Sequence, residues 1–266
     1  MSNQPGSKRR KTALITGASG GIGYELAKLF ARDGYDLVLV ARSESKLMQL
    51  EAELKERFST SVIVLVKDLS KPSSPTEIFA QLQTQSVRVD VLVNNAGFGG
   101  YGLFGQTDLT MELEMMQVNM VSLTHLTKLF LKDMLAQGEG KILNLASTAA
   151  FQPGPLMAVY FATKAYVLSF SEALAEELRG SGVTVTALCP GPTATGFKKR
   201  AALEASKLFT GQVMDSETVA KLGYRGLFNK QTVVVTGLRN QIMAFSVRFV
   251  PRDMLTQAVK RMQDSN

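Results

Sequence analysis

The stretch Thr16-Gly17-Ala18-Ser19-Gly20-Gly21-Ile22-Gly23 decides the fold, because it joins a short apolar run to a helical pattern. The apolar run, Thr12–Thr16, has the length of a buried strand, and the residues after the glycines repeat apolar side chains at helical spacing. In such a turn the amides of a helix N-terminus face a diphosphate group. We expect Gly17 to permit the tight turn, Gly21 to let a pyrophosphate approach and Gly23 to let helix and sheet pack closely. A purely structural glycine turn is the alternative.

Strand-length apolar runs alternate with helical patterns along the rest of the chain. We predict strands at residues 12–16, 36–41, 62–66, 89–93, 141–146, 183–189 and 232–236. We predict helices at 23–33, 43–58, 75–85, 111–137, 159–179 and 216–227, with a break near Asn119 in the longest. Apolar strands linked by helices are typical of a parallel sheet covered on each side. The sequence therefore predicts an α/β fold, a single doubly wound (Rossmann) domain with a seven-stranded parallel sheet and helices on both faces.

The chain is interpreted as one domain with a leader, a lid and a tail. We expect residues 1–10 to form a flexible basic leader and residues 11–266 to form the domain. The stretch at about 192–215 contains no predicted strand and resembles a mobile substrate lid, while residues 237–266 form an apolar tail. The tail is expected to cover the substrate pocket or a subunit surface, with a short membrane-contacting patch as the third alternative.

The composition excludes several classes of protein. The chain of 266 residues is 45% hydrophobic and 20% charged, which is typical of a globular protein. One cysteine, Cys189, and one histidine, His125, exclude a disulfide framework and the usual zinc clusters, so no metal site is predicted. Cys189 is interpreted as a small buried apolar residue.

The net charge of +7 is compatible with a nucleic acid, an anionic membrane or a phosphate-rich ligand as partner. The basic residues are scattered, apart from Lys8–Lys11 and Lys198–Arg200, and no nucleic-acid motif accompanies them. A nucleic-acid or membrane-surface protein is the third hypothesis. No apolar run reaches eighteen residues and no removable apolar leader is present, so neither stable membrane insertion nor secretion is predicted. The expected location is the cytoplasm.

The end of the second predicted strand indicates which dinucleotide binds. An acidic residue there would bind the ribose hydroxyls of NAD. This chain has Ala41, Arg42 and Ser43 instead, and a guanidinium can hold a 2′-phosphate with two hydrogen bonds. We therefore predict NADP(H) as cofactor. The alternative is a surface arginine paired with Glu44.

Three further motifs make a family resemblance. Asn94-Asn95-Ala96-Gly97, then Ser147, then Tyr160-Phe161-Ala162-Thr163-Lys164 follow the glycine loop along the chain. With that loop, this set resembles the short-chain dehydrogenase/reductase family in its ordinary-length form, from Lys11 to about Thr236. The tail from Gly237 onward resembles the DltE-type branch of the family.

The residues themselves support an active site. Tyr160 and Lys164 are four apart in a predicted helix and project from one face. An ammonium beside a phenol, together with an oxidised nicotinamide, lowers the pKa of that phenol. The Ser147 hydroxyl can stabilise a substrate oxygen on which negative charge develops.

The resemblance implies a role for each of these residues. Ser147 stabilises the substrate oxygen, Tyr160 passes the proton, and Lys164 holds the nicotinamide ribose. Asn119 supports a water in a proton relay, and Asp68 binds the adenine amino group. Each also has an ordinary structural role as its alternative, which for Asp68 is that of a helix cap.

The remaining predicted contacts follow from the same motifs. We expect the cofactor to be held also by Ser19, Gly20, Ile22, Leu69, Asn95, Ala96, Gly97, Pro190, Gly191, Thr193 and Thr195. The family's four-helix contact implies a homodimer or homotetramer, with His125 on a helix face or at that contact. Six apolar residues could form this subunit contact or belong to the core within one chain: Leu123, Leu126, Leu129, Phe130, Phe170 and Leu174.

The function predicted from these residues is that of an NADP(H)-dependent oxidoreductase. It interconverts a carbonyl compound, ketone or aldehyde, and an alcohol, with Tyr160 as general acid and base. An apolar or bulky small-molecule substrate is expected from Phe98, Tyr101, Phe104, Phe151, Met157, Phe197, Leu203 and Phe209, while Lys198–Arg200 could meet an anionic group. The alternative is a catalytically idle NADP(H)-sensing binding protein, which would not need the serine, tyrosine and lysine together.

Overall fold

The computed structural model describes residues 9–196 and 213–263. The strands in these ranges are β1 Thr12–Thr16, β2 Asp36–Ala41, β3 Val62–Val66, β4 Val91–Asn94, β5 Gly140–Leu145, β6 Val183–Cys189, β7 Thr193–Ala194, β8 Met214–Asp215 and β9 Val233–Val235. The α-helices are α1 Gly21–Arg32, α2 Glu44–Phe58, α3 Ser74–Thr84, α4 Leu109–Met116, α5 Leu123–Gln137, α6 Ala158–Glu177, α7 Ser216–Phe228, α8 Leu238–Ser246 and α9 Arg252–Gln263. Most of the predicted leader, and the lid residues Phe197, Lys198–Arg200, Leu203 and Phe209, lie outside the described residues.

Seven of the strands form one parallel sheet in the order β3-β2-β1-β4-β5-β6-β9, which confirms the predicted fold. Ala13 of β1 lies opposite Leu37 of β2 on one side and Val91 of β4 on the other. The strand order reverses between β1 and β4. In sheets of this kind, ligands bind at that reversal, beyond the carboxyl ends of the strands.

The core lies on both faces of this sheet. Ala13 and Ile15 of β1 pack in one cluster with Phe30 of α1, while Leu14 between them packs in the opposite cluster with Phe130 of α5. Successive strand residues point to opposite faces, so a strand buried on both sides is apolar at every position. This is why the apolar runs predicted the strand positions well.

The long predicted helix is interrupted where the sequence analysis placed a break. A turn of π-helix at Gln117–Ser122 separates α4 from α5 and contains Asn119. A π-helical turn inserts an extra residue and often marks a functional site. On α5, Leu123, Leu126 and Phe130 are buried within the chain, so the structure favours the core alternative for them.

One prediction for the lid region is wrong. The stretch at 192–215 was expected to contain no strand, yet β7 and β8 pair in parallel at its two ends, with Thr193 opposite Met214 and Ala194 opposite Asp215. Strands of two residues carry no periodic signal, so sequence patterns cannot predict them. The amide of Met214 also donates to the carbonyl of Pro192 at 3.1 Å, so the two ends of the stretch are tied together.

The tail is helical. It forms α8, a short 3-10 turn at Val247–Phe249 and α9. Across the described residues, none of the helices has both the length and the apolar character needed to span a bilayer.

Candidate active site

A cavity of about 870 Å³ opens at the carboxyl ends of β1, β2, β4, β5 and β6. It is lined by nearly all of the predicted cofactor residues, from Gly17 of the glycine loop to Thr195. Of the predicted catalytic and cofactor-binding residues, Gly23 and Asn119 alone do not line it. Of the described residues predicted to meet the substrate, Phe98 and Met157 line the cavity, whereas Tyr101, Phe104 and Phe151 do not. The fold therefore brings motifs that are far apart in sequence to one edge of the sheet.

The glycine loop has two positions that only glycine can occupy. Gly17 has a φ of +66°, and a Cβ atom there would lie 2.9 Å from the Cα atom of Ala96. A Cβ atom on Gly23 would lie 2.5 Å from the carbonyl oxygen of Gly17 and 2.4 Å from Nδ2 of Asn95. Because α1 begins at Gly21 beside the cavity, its first amides are placed to bind an anionic group. This cradle fits a dinucleotide diphosphate.

Asn95 braces the loop from the neighbouring strand. Its Nδ2 atom donates to the carbonyls of Thr16 at 2.9 Å and Gly17 at 3.2 Å, and its own amide donates to Oγ1 of Thr16 at 3.0 Å. Asn94 points the other way and donates to Asn144 of β5 at 2.9 Å. The motif after β4 thus holds the loop and the sheet together.

Positive charge gathers where β2 ends. Arg42, Ser43 and Lys46 line the cavity there. The alternative role for Arg42 is not observed, since it makes no ion pair with Glu44 or any other described residue. An exposed guanidinium facing a cavity is available to bind a phosphate.

Asp68 lines the same end of the cavity, and its carboxylate accepts from the amide of Ser70 at 3.0 Å. The alternative role as a helix cap is not observed, because α3 begins only at Ser74 and its N-cap is Ser73. Asp68 instead closes a turn directly after β3, and this turn fixes where its side chain points.

The catalytic candidates meet at the other end of the cavity. Ser147 lies two residues beyond the end of β5, and its hydroxyl is hydrogen-bonded to that of Tyr160 in α6. Lys164, one helical turn further, donates from Nζ to the carbonyl of Leu145 at 2.8 Å and lies 5.7 Å from the centre of the Tyr160 ring. The structure thus brings all three side chains to one wall.

Burial is the main influence on the pKa values of Tyr160 and Lys164. It raises the pKa of Tyr160 to about 12, against a smaller lowering by the Ser147 hydroxyl, and it lowers the pKa of Lys164 to about 8. Desolvation of the buried hydroxyl is the largest cause, so the net shift of the phenol pKa is upward. The lowering predicted from Lys164 together with an oxidised nicotinamide concerns the complex with the nucleotide and stays a prediction. A phenol that is protonated at neutral pH can donate a proton to a carbonyl oxygen.

Asn119 lies behind the catalytic wall. It accepts from the amide of Phe98 at 3.1 Å and donates to the carbonyl of Phe98 at 2.9 Å and to Oγ1 of Thr163 at 3.0 Å. Its side chain therefore links the loop after β4 to the helix that carries Tyr160. Gly97 makes room for this link, since a Cβ atom there would lie 3.0 Å from Oδ1 of Asn119.

The sequence analysis missed several lining residues, among them Lys46, Arg239, Asn240, Met243 and Met262. Lys46 lies in the first turn of α2, four residues after Arg42, and this position at the end of the second strand could have indicated it. The others come from α8 and α9, for which only the apolar character of the tail gave a signal. Asn240 packs so closely on Gly191 that a Cβ atom on that glycine would lie 2.4 Å from Nδ2 of Asn240.

The remaining polar candidates, Cys189 and His125, lie away from the cavity. Cys189 is fully buried at the end of β6, as predicted, and burial raises the pKa of its thiol to about 12. His125 lies on α5, with Nε2 3.4 Å from Oγ1 of Thr76. Neither residue lines the cavity.

The sequence matches the short chain dehydrogenase family over residues 11–205, which include the glycine loop, Ser147, Tyr160 and Lys164. The chain belongs to this family. It is accordingly an oxidoreductase with a nucleotide-binding Rossmann domain.

Individual relatives show how far the similarity extends. The ketoacyl reductase HetN of Nostoc sp. is 32% identical over 226 residues, which cover 85% of this chain and 78% of that protein. The very-long-chain 3-oxoacyl-CoA reductase of Bos taurus is 34% identical over 70% of this chain, which spans only 61% of the bovine protein. Among solved structures, a short-chain dehydrogenase from Sphingobium yanoikuyae in complex with NADPH superposes with a TM-score of 0.81 at 33% identity, covering 90% of this chain and 94% of that one.

Proposed function

We propose that this member of the short-chain dehydrogenase family is an NADP(H)-dependent reductase that converts a ketone or aldehyde to an alcohol, and that can run the reverse oxidation. The observation that carries the proposal is the hydrogen-bonded pair of Ser147 and Tyr160, with Lys164 one helical turn away, in the same cavity as the glycine loop. A protein that only senses the nucleotide would not need this pair.

The cofactor would be held along the whole cavity. Amides at the start of α1 would bind the diphosphate, Asp68 the adenine, Arg42 and Lys46 a 2′-phosphate, and Lys164 the nicotinamide ribose. When bound, the reduced nicotinamide supplies a hydride for the carbonyl carbon. NADPH in the similar Sphingobium structure supports the choice of cofactor.

The chain's own residues provide the proton and stabilise the charge. The hydroxyls of Ser147 and Tyr160 would both donate to the carbonyl oxygen and polarise it. As negative charge grows on that oxygen, Tyr160 would transfer its proton as general acid. Lys164 would stabilise the phenolate that remains, since its ammonium lies over the ring.

The walls beside the catalytic pair favour an apolar substrate. Phe98, Met157, Phe161, Met243 and Met262 line the cavity, and two of them, Met157 and Phe161, belong to a cluster with Tyr160. Arg239, four residues before Met243 on α8, also lines the cavity, and it makes no ion pair with any described residue. The names of HetN and of the bovine enzyme point to ketones within acyl chains. We propose a bulky, mainly apolar ketone as substrate.

The proposed reaction can be tested with Tyr160→Phe. NADPH oxidation is followed with a panel of ketones and aldehydes that includes 3-oxoacyl thioesters. We expect turnover to fall by about 10²- to 10⁴-fold, the range that general acid catalysis contributes, with unchanged NADPH affinity.

The matched control for that test is Tyr166→Phe. Tyr166 lies on the same helix, but its hydroxyl contacts Thr124 away from the cavity, so its removal is expected to leave turnover unchanged. Full turnover in Tyr160→Phe would refute the mechanism. NADPH binding without turnover on any member of the panel would favour the nucleotide-sensing alternative.

The proposal also includes the assembly and the location. A homodimer or homotetramer in the cytoplasm is expected, and the buried, unpaired Cys189 suits a reducing compartment. Light scattering on the purified chain measures the assembly directly, and a monomeric mass would contradict it.

A further inference from the structure

The C-terminal segment carries a stripe of exposed apolar side chains. Leu238, Ile242, Phe245 and Phe249 follow one another at intervals of four, three and four residues, so they share one face of α8 and the turn after it. They are 72%, 61%, 62% and 73% exposed. The rings of Phe245 and Phe249 pack edge to face with centres 5.3 Å apart. We call these four side chains the C-terminal stripe.

The stripe lies opposite the face by which α8 is attached to the domain. Ala244 is buried, while Asn240 and Met243 line the cavity. These residues are about half a helical turn away from Leu238 and Ile242. Helix α8 is therefore apolar on two sides, one of them packed on the domain and the other uncovered in the described chain. Exposed apolar patches of this kind mark interaction surfaces.

The C-terminal segment that carries the stripe is basic. Of its residues 238–266, five have basic side chains, Arg239, Arg248, Arg252, Lys260 and Arg261, and two have acidic side chains, Asp253 and Asp264. None of the five makes an ion pair with a described residue. Apolar side chains flanked by unpaired cations complement a surface that is anionic outside and apolar beneath.

We propose that the C-terminal stripe docks this protein on an anionic phospholipid bilayer. The four apolar side chains enter the boundary between headgroups and acyl chains, and the flanking arginines contact the lipid phosphates. A second copy of the chain fits this surface less well, because a symmetric contact would place each cationic segment against its own copy. Docking would place α8 between the lipid and the cavity, because Met243 lines the cavity from the opposite face of this helix.

Flotation of the full-length protein with vesicles tests the proposal. One set contains equal parts of phosphatidylcholine and phosphatidylglycerol, and the other contains phosphatidylcholine alone. We expect at least tenfold tighter binding to the anionic vesicles, weakened by added salt. Phe245→Ser with Phe249→Ser, and separately Arg248→Glu with Arg252→Glu, are each expected to weaken that binding at least tenfold.

The matched control is Leu109→Ser with Leu113→Ser on α4, which removes two other leucines that are 68% and 55% exposed. This pair is expected to leave vesicle binding unchanged, and NADPH affinity checks that every variant is folded. Equal binding to both vesicle types, wild-type binding by the phenylalanine variant, or an equal loss in the control would each overturn the proposal. A further pair of results would also overturn it: the protein does not bind vesicles, and light scattering shows that only the phenylalanine variant loses its dimeric mass. A second copy of the chain would then cover the stripe.

Discussion

Lys164 combines two properties at the scale of a single residue. Its ammonium contacts the carbonyl of Leu145 and the face of Tyr160, and burial lowers its pKa to about 8. Since the charged form is the one that holds a ribose and stabilises a phenolate, its contribution is present below that pKa and lost as the pH rises through it.

We therefore predict a pH dependence for kcat/KM measured with NADPH, the parameter that reports the free enzyme. The value is expected to be level below pH 8 and to fall above it. Lys164→Arg should remove the inflection from this range, because a guanidinium keeps its charge. A wild-type profile that stays level well above pH 8 would contradict the assignment.

Arg42 is the residue that we expect to choose between the two cofactors. The wild-type enzyme should prefer NADPH to NADH in kcat/KM. Arg42→Asp should lower kcat/KM for NADPH by roughly 10²-fold, because a charge-assisted contact to the 2′-phosphate contributes about 1.5–3 kcal/mol. The same substitution should change kcat/KM for NADH less.

The control for Arg42 is Arg225→Asp on α7, an exposed arginine that does not line the cavity. This substitution should leave kcat/KM unchanged for both NADPH and NADH. If Arg42→Asp keeps the full preference for NADPH, then another group, with Lys46 as the first candidate, makes the selection.

At the scale of elements, the π-helical turn joins three parts of the chain through one amide. Asn119 is 1% exposed and satisfies the backbone of Phe98 and the hydroxyl of Thr163. Asn119→Ala removes these three hydrogen bonds; the amide and carbonyl of Phe98 lose this partner, while the Thr163 hydroxyl keeps its bond to the carbonyl of Tyr160. We therefore expect the free energy of unfolding to fall by about 1–3 kcal/mol. Urea denaturation followed by circular dichroism measures the change.

Gln117 provides the comparison for that measurement. It belongs to the same π-helical turn, and its side chain donates to Ser122 at 3.1 Å from a less buried position. Gln117→Ala is expected to cost clearly less than Asn119→Ala. Equal losses would mean that the turn itself, rather than the three contacts of Asn119, accounts for the stability.

The same elements show what the sequence can predict. The strands of the main sheet, and the glycine, asparagine, serine and tyrosine motifs at their ends, are local features with clear residue preferences. The roles of Gly17 and Gly23 could be predicted because only glycine is tolerated where the turn and the helix packing are this tight, and the structure shows close contacts at both positions. In contrast, the cavity walls from α8 and α9 depend on how the tail folds back, which no spacing in the sequence specifies. The upward shift of the Tyr160 pKa could not be predicted from the sequence either, because its largest cause is the burial of the hydroxyl.

At the scale of the whole molecule, the cavity is lined by both halves of the sheet. Arg42 follows β2 on one side of β1, and Ser147 follows β5 on the other. A bound cofactor would therefore resist unfolding of the entire domain rather than of one loop. At a concentration one hundred times its Kd, it should add about 2.7 kcal/mol to the free energy of unfolding.

We predict that NADPH raises the Tm of the wild-type protein by several degrees in a thermal melt, and that NADH at the same concentration raises it less. In Arg42→Asp the increment with NADPH should shrink, while the Tm without nucleotide should stay close to that of the wild type. An equal increment for both nucleotides in the wild type would argue against NADP(H) selectivity.

The pairing of β7 with β8 has a consequence for how this enzyme could diversify. Two residues on each side are enough to bring Thr193 next to Met214 without using any position of the main sheet. The entropy of closing a loop rises only slowly with its length. The number of residues between these anchors can therefore change in evolution or by engineering at a small cost in closure entropy, and without altering the strand pairing of the main sheet.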